Sequence, residues 1–391
     1  MNKAEKLKLT LILGALTAIG PLSIDMYLPG FKSIANDFNT TMSVVGFSLT
    51  SYFIGYSFGQ LLYGPLLDRF GRKIPLIGGL ILYSISTLLC ALSPNITSLI
   101  VSRFFLSIGG CSGVVASRAI VRDIFDLKES AKFFSSLTLV MGLAPIIAPI
   151  FGSLLTVYFG WRYIFIFLFF FTIILLLSIL FLLHNVKGKN HQVALNANTI
   201  YNSYLKIIKN PTFIAFGLAG SVSYASLFAY ISGSPFVYMK VFGLSELHYS
   251  WAFGINALGL IIGSQTNRYW LKRTDSKKVT TTSLIILVSI AIILFIGIAL
   301  EIFPAILSMI FIFLFIFLLG IVNPNTMALA LSPFESTAGS ASALMGSIQM
   351  IVSAIISAFV SSGGSALSMV SGMLFCSFSG LFIVIIFSKK I

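Results

Sequence analysis

Two residues of this chain pose a chemical problem by their position alone. Asp25 is the only acid well inside a long apolar segment, and Arg103 is the only base. Each costs about 2.5–3.5 kcal/mol at the centre of a membrane helix, so neither is placed there without a use. An apolar surrounding favours a neutral carboxyl, and a nearby cation favours the carboxylate. A carboxyl under both influences changes protonation when its surroundings change, which is the chemistry of a proton carrier. The expectation is that Asp25 carries a proton and Arg103 is its charge partner. The other reading is a fixed ion pair that aids packing.

The elements that must position these residues follow from composition. Of the 391 residues 57% are hydrophobic, only 9% are charged, and the mean hydropathy is +1.01. A soluble domain cannot hide that much apolar surface, so lipid must be the solvent. Twelve apolar runs near the ~20 residues needed to cross hydrocarbon are expected. They lie roughly at 9–30, 44–66, 75–93, 96–117, 130–156, 162–184, 211–236, 248–268, 279–300, 305–331, 339–361 and 365–387. No ten-residue alternating segments point to a β-barrel. The fold class is therefore an all-α membrane protein. Residues 1–8 are polar and lysine-rich, and the first apolar run is too long for a cleaved signal peptide, so it is expected to stay as a helix.

The net charge of +14 is a matter of topology. With the N-terminus inside, 21 of the 25 Lys and Arg residues fall on the cytoplasmic side, and only Lys32, Arg162 and Lys240 fall outside. That positive-inside bias places both termini in the cytoplasm. It leaves no soluble basic surface for a nucleic acid. At 1.5 Å per residue, Asp25 lies ~13 Å below the outer end of the first span and Arg103 ~10 Å below that of the fourth. The two therefore sit at similar depth and are able to share a cavity.

The longest polar stretch, 185–210, divides six spans from six. The expected organisation is an N-terminal half 1–184, a central cytoplasmic loop 185–210, and a C-terminal half 211–391. Within the loop, Ile200, Tyr204, Leu205 and Ile208 recur at helical spacing and suggest an amphipathic piece on the membrane face. The remaining loops are too short for a catalytic domain. No phosphate-binding loop, nucleophile elbow or metal-ligand cluster is found, so neither an enzyme nor a cofactor is expected. Cys90, Cys111 and Cys376 have no close spacing and read as small hydrophobes. His184, His191 and His248 lie at loop edges.

Residues 64–73, GPLLDRFGRK, form a hairpin loop with four charges. Gly64 would let another helix pack close, and Asp68 is an anion suited to a helix N-terminus. Arg69, Arg72 and Lys73 are candidates to pair with Asp68. The loop resembles the one after the second helix in major facilitator transporters, G-x-L-x-D-R-x-G-R-[KR]. That resemblance implies a twelve-helix fold of two six-helix bundles. It also implies a latch in which Asp68 faces the start of the eleventh span, Ser336-Thr337-Ala338-Gly339, with Gly64, Arg69, Gly71, Arg72 and Lys73 shaping the loop. The plainer alternative is a positive-inside turn. The second-half loop Arg268–Lys278 keeps the basic character and Asp275, but not the glycines.

Four further stretches narrow the resemblance. SIDMYLPGF at 23–31, RFFLSIGGCSGVVASRAIVRDIF at 103–125, MGLAPIIAPIFGS at 141–153 and ALSPFESTAGSASALMGSIQM at 330–350 are similar to the bicyclomycin/chloramphenicol resistance (Bcr/CflA) drug exporters. The chain departs at Leu106-Ser107, where that family has Gln-Gly, so substrate preference is not carried over. In the fifth span, Ala144, Ala148 and Gly152 make a flat small face, and Pro145 and Pro149 allow bending. Resemblance implies that this helix, with Gly142, Pro145, Pro149 and Gly152, seals the exporter against leak; an ordinary kinked helix is the alternative.

A polar substrate lining is expected from Tyr27, Tyr52, Tyr56, Tyr224, Tyr230, Asn256, Asn323, Asn325 and Gln349. Asn323-Pro324-Asn325 is expected to break the tenth span. The reading is a multi-pass, monomeric drug:proton antiporter of the bacterial inner membrane, exporting small amphipathic molecules with H+ as coupling ion. One proton moving down ~100 mV and one pH unit supplies roughly 3.7 kcal/mol, enough for a gradient of several hundredfold. The rivals are a nutrient importer or facilitator on the same fold, and a non-transporting membrane receptor or assembly protein.

Overall fold

A computed structural model describes residues 3–125, 127–182, 204–334 and 338–387. For 3–5, 122, 127–132, 134–136, 138, 182 and 338 only the backbone is described. Helix is the sole regular structure among the described residues. The long helices, numbered here first to twelfth, begin with Lys3–Asp25, Met42–Phe70, Lys73–Ala91, Ile96–Ile124, Leu127–Phe159 and Arg162–Leu182. They continue with Phe213–Val241, Glu246–Trp270, Ser276–Ala299, Ala305–Leu331, Ala338–Gly363 and Ala366–Phe387. These fall where the twelve spans were expected.

Ten of them are long and apolar enough to cross a membrane on composition alone. The second and eighth are long enough but more polar. The second carries Ser48, Thr50, Ser51, Tyr52, Ser57 and Gln60, and the eighth carries Asn256, Ser264, Gln265, Thr266 and Asn267.

Helix ends follow local chemistry. Asn95 caps the fourth helix by accepting from Ser98 N at 2.8 Å, and Ser245 caps the eighth. Such a cap satisfies an amide that the helix leaves without a partner. Gly71 ends the second helix in the left-handed region (φ +79°), which a side chain would oppose. The seventh helix is wound more loosely at both ends, over Phe213–Leu218 and Phe236–Val241, and Phe242 N bonds back five residues to Val237 O at 2.9 Å. A short helix occupies 204–208, with Ile207 buried, Tyr204 and Leu205 half-buried and Ile208 exposed, and Ile200 lies outside the described residues.

Two compact units are present, one of residues 1–39 and 51–197, the other of 40–50 and 198–391. In the first, the first helix packs on the fifth, the third on the fourth, and the third on the sixth. In the second the same neighbours recur six helices later: seventh on eleventh, ninth on tenth, ninth on twelfth. That recurrence is the internal repeat that sequence similarity between the halves barely shows. Residues 40–50 belong with the second unit, where Thr50 Oγ1 donates to Ser357 Oγ at 3.0 Å and Ser232 Oγ donates to the same oxygen at 2.8 Å.

The Asn323-Pro324-Asn325 expectation is corrected. The tenth helix runs unbroken from Ala305 to Leu331 with Pro324 inside it. Proline removes one N–H but need not end a helix when neighbouring polar groups hold the turn. Here Asn325 Nδ2 bonds to Ile321 O at 2.8 Å and to Asn267 Oδ1 at 2.7 Å, and Thr326 Oγ1 bonds to Asn323 O at 3.0 Å.

Candidate functional site

Asp25 is the last residue of the first helix, and Pro29 explains why. Proline has no N–H to give to Asp25 O, so the α-helical ladder stops there. The chain tightens instead: Tyr27 N bonds to Ile24 O at 3.3 Å and Gly30 N to Tyr27 O at 3.1 Å. A short 3-10 turn, Leu28–Gly30, then leads into the short helix Phe31–Asp37. Asp25 is thus held at a break, 5% exposed, within the apolar core of the first unit.

The fifth helix closes on that break. Ala148 is fully buried, Ala144 nearly so, and a Cβ built at Gly152 would fall inside the contact shell of Met26 O. The small face read from Ala144, Ala148 and Gly152 therefore packs against the residue next to Asp25. Pro149 is buried on this face, while Gly142 and Pro145 are half-buried, and the helix continues through both prolines. Gly152→Ala must push the break and the helix apart, an overpacking cost of about 1–3 kcal/mol. A lowered thermal midpoint in detergent is the expected result.

Arg103, on the fourth helix, is the largest side chain with no exposed surface. Its Nη1 donates to Ser23 O at 2.7 Å, two residues before Asp25. The guanidinium stacks over Tyr27 at 4.3 Å, Tyr52 at 4.8 Å and Phe165 at 5.9 Å from the ring centroids. Nε and Nη2 have no hydrogen-bond partner. Arg103 reaches the segment that carries Asp25 through the carbonyl of Ser23. The two side chains form no ion pair: those among the described residues are Arg72–Asp68, Arg72–Asp123 and Arg162–Asp37.

Ser23 and Tyr83 are part of this cluster and were not read from sequence. Ser23 Oγ lies 2.7 Å from Tyr83 Oη and donates to Ile19 O at 2.6 Å. Ser23 opens the SIDMYLPGF motif, which signals it; Tyr83 sits in an otherwise apolar run with no signal.

The other expected lining residues are mostly packed against one another. Tyr27 and Tyr52 are fully buried, and Tyr52 and Tyr56 stack at 6.0 Å. In the second unit, Asn256 Nδ2 donates to Tyr230 Oη at 2.8 Å and to Tyr238 Oη at 3.1 Å. Asn325 is also buried, whereas Tyr224, Asn323 and Gln349 are half-buried. At the departure Leu106-Ser107, Leu106 is buried and Ser107 Oγ donates to Phe104 O at 2.8 Å, close against Gly55. Cys90, Cys111 and Cys376 are buried and free.

In the GPLLDRFGRK loop, Arg72 is the organising residue. It bonds Asp68 at 2.8 Å and Asp123, at the end of the fourth helix, at 2.6 Å. Burial pulls the Arg72 pKa down, and its bonds to Asp123 and Asp68 outweigh that, so the net direction is up. Lys73 Nζ donates to Leu180 O at 3.2 Å, and Arg69 lies over the Phe70 ring. Of the three cations proposed for Asp68, only Arg72 pairs with it. Asp123 was missed as a partner, although it closes the quoted SRAIVRD segment. Gly64 is corrected: a Cβ there would meet nothing within 4 Å, so close packing does not explain it. Ser336 and Thr337, the expected cap opposite Asp68, lie outside the described residues. Asp275 of the second-half loop caps the ninth helix instead, accepting from Lys278 N at 2.8 Å. Exposed His248 bonds Ser245 Oγ at 2.8 Å, and His184 and His191 lie outside the described residues.

Comparison with known proteins agrees with this architecture. Residues 13–358 match the family model described as Major Facilitator Superfamily. An uncharacterised MFS-type transporter, YdgK, of Bacillus subtilis is 36% identical over 358 residues, 91% of this chain and 89% of that one. A bicyclomycin resistance protein homolog of Haemophilus influenzae is 30% identical over 357 residues, 90% and 88% respectively. A crystal structure of a D-xylose-proton symporter has the same fold, with a TM-score of 0.75 at 15% identity over 96% of this chain and 97% of that one. The chain is a multi-pass membrane protein that belongs to the Major Facilitator Superfamily, and within it to the bicyclomycin/chloramphenicol resistance family.

Proposed function

We propose that the chain is a proton-coupled exporter of small amphipathic compounds, working by alternating access between the halves 1–184 and 211–391. The observation that carries this reading is Asp25: a buried carboxyl at a helix break, with no ion pair among the described residues. An acid so placed takes up and gives up a proton as its surroundings alternate between wet and dry. The small face of the fifth helix packs directly behind it and supports a proton-tight seal. The Haemophilus relative, named for bicyclomycin resistance, supports export as the direction.

In this reading Arg103 is the counter-charge of Asp25, and H+ is the coupling ion with no further cofactor. The Asp68–Arg72–Asp123 group acts as the gate-side tie. The protein works as a monomer in the bacterial inner membrane, with both termini and segment 185–210 in the cytoplasm. The importer or facilitator reading is favoured by no feature of the site, although the shared fold with a proton symporter shows that fold alone does not set direction.

A drug-susceptibility panel in a host stripped of its own exporters tests the proposal. Raised resistance to several amphipathic compounds, lost on adding an uncoupler, is expected. Resistance that persists with the uncoupler, or a gain in nutrient uptake with no resistance, would count against it.

A further inference from the structure

The surroundings of Arg103 contain an asymmetry that the proposed function leaves unused. The guanidinium is fully buried, yet of its donors only Nη1 is hydrogen-bonded, while Nε and Nη2 are not. A buried cation in that state is costly unless something else answers its charge. What answers it is three aromatic rings, Tyr27 from the break, Tyr52 from the second helix and Phe165 from the sixth. Ring faces attract a guanidinium more strongly once it is desolvated.

We infer that Tyr27, Tyr52 and Phe165 are positioning residues: their faces hold Arg103 off Asp25, and their grip sets how readily the guanidinium is released to the acid during transport. This deepens the proposed function and rests on its reading of Asp25 as the proton site. The competition is between a ring face and a carboxylate for one planar cation. A carboxylate offers two charge-assisted bonds to the fork that the rings leave open. Asp25 and Tyr27 flank Met26 in the same break, so both competitors ride on one short segment. The fifth helix packs against the segment at Gly152, and Ser23 O holds the guanidinium at a residue two before Asp25.

The titratable groups around the pair are few. The first helix brings Asp25 and Tyr27, the second Tyr52, and the third Tyr83 and Cys90. The sixth brings only the Phe165 ring, and the fifth meets the break at Gly152.

The test is drug–proton exchange by the full chain in proteoliposomes, measured against pH. Phenylalanine and then mono-, di- and trifluorophenylalanine are placed at position 27. Fluorine withdraws charge from the ring face while barely changing its size, so packing stays and the cation–π attraction fades. Tyr27→Phe is expected to keep the wild-type pH midpoint. Along the fluorinated series the midpoint should move stepwise to lower pH, by up to about one unit. The sign follows because a released guanidinium favours the carboxylate, so more acid is needed to load the proton. Thermal midpoints should stay level across the series, which separates the effect from loss of packing.

A flat pH midpoint across the series, with Asp25→Asn inactive, overturns the cage and leaves the proton site standing. If pH-dependent exchange survives in Asp25→Asn, the underlying reading fails instead. Tyr27→Leu, where it folds, should shift the midpoint as far as the trifluoro ring does. A Leu variant that matches Phe would likewise sink the cage.

Discussion

Asp25→Asn is expected to abolish concentrative efflux while leaving the protein folded and inserted. Asparagine has nearly the shape of a protonated aspartate and carries no charge, so burial in the first unit costs it no ionic desolvation. The break itself is set by Pro29 and the 3-10 turn after it, and neither involves the carboxyl. What is lost is the group proposed to carry the proton. Without it the roughly 3.7 kcal/mol available from ~100 mV and one pH unit cannot be transmitted to the substrate. The gradient should therefore fall from several hundredfold to unity, and resistance to the level of an empty vector. Susceptibility assays paired with immunoblots of membrane protein check this: normal protein level with no resistance is the expected pair of results.

Arg103 should give the second large effect, and on both stability and function. Arg103→Ala empties a fully buried site lined by Tyr27, Tyr52 and Phe165 and leaves Ser23 O without its donor. Large-to-small changes in a packed core cost on the order of 3 kcal/mol, and the site between three rings has little freedom to collapse. Arg103→Lys is more informative. It keeps the charge but loses the planar fork that lies flat on ring faces, so it is not a conservative change here. Lysine is expected to restore most of the thermal midpoint lost in the alanine variant and little of the proton-coupled transport. Thermal unfolding in detergent alongside reconstituted exchange measures the two losses separately.

Much of the fold was legible in the sequence because a membrane leaves few choices. Apolar runs of ~20 residues must be helices, since no water is available to satisfy the backbone. The helices accordingly fall where hydropathy placed them, including the more polar second and eighth. The break before Pro29 was not read, since the first span was expected to run to residue 30, whereas the loop glycine Gly71 does turn the chain after the second helix. The Ala144, Ala148 and Gly152 stripe was readable as a packing face, and it does pack.

What was not legible depends on partners from other helices. Pro324 looked like a break, yet Asn267, on the eighth helix, helps hold its turn together. Gly64 looked like a contact, but nothing approaches it. The pairing of Asp68 with Arg72 was readable within the loop, but its extension to Asp123 on the fourth helix was not. Above all, depth arithmetic put Asp25 and Arg103 at similar depth without showing which groups surround the guanidinium. The rings of Tyr27, Tyr52 and Phe165 come from the break after the first helix and from the second and sixth helices, and no spacing within one helix encodes their meeting. Tyr27 and Tyr52 were read as substrate lining for the same reason: an aromatic in a span looks alike whether it faces a cavity or a cation.

The central claim is that proton movement through Asp25 drives export. It is tested most directly by purified protein in liposomes carrying a pH-sensitive dye and an imposed pH gradient. Adding a transported compound should collapse the gradient with the wild-type protein, at a rate that saturates with compound, and should leave it intact with Asp25→Asn. Substrate movement by the wild-type protein with no proton flux, or an undiminished flux in Asp25→Asn, would contradict the account.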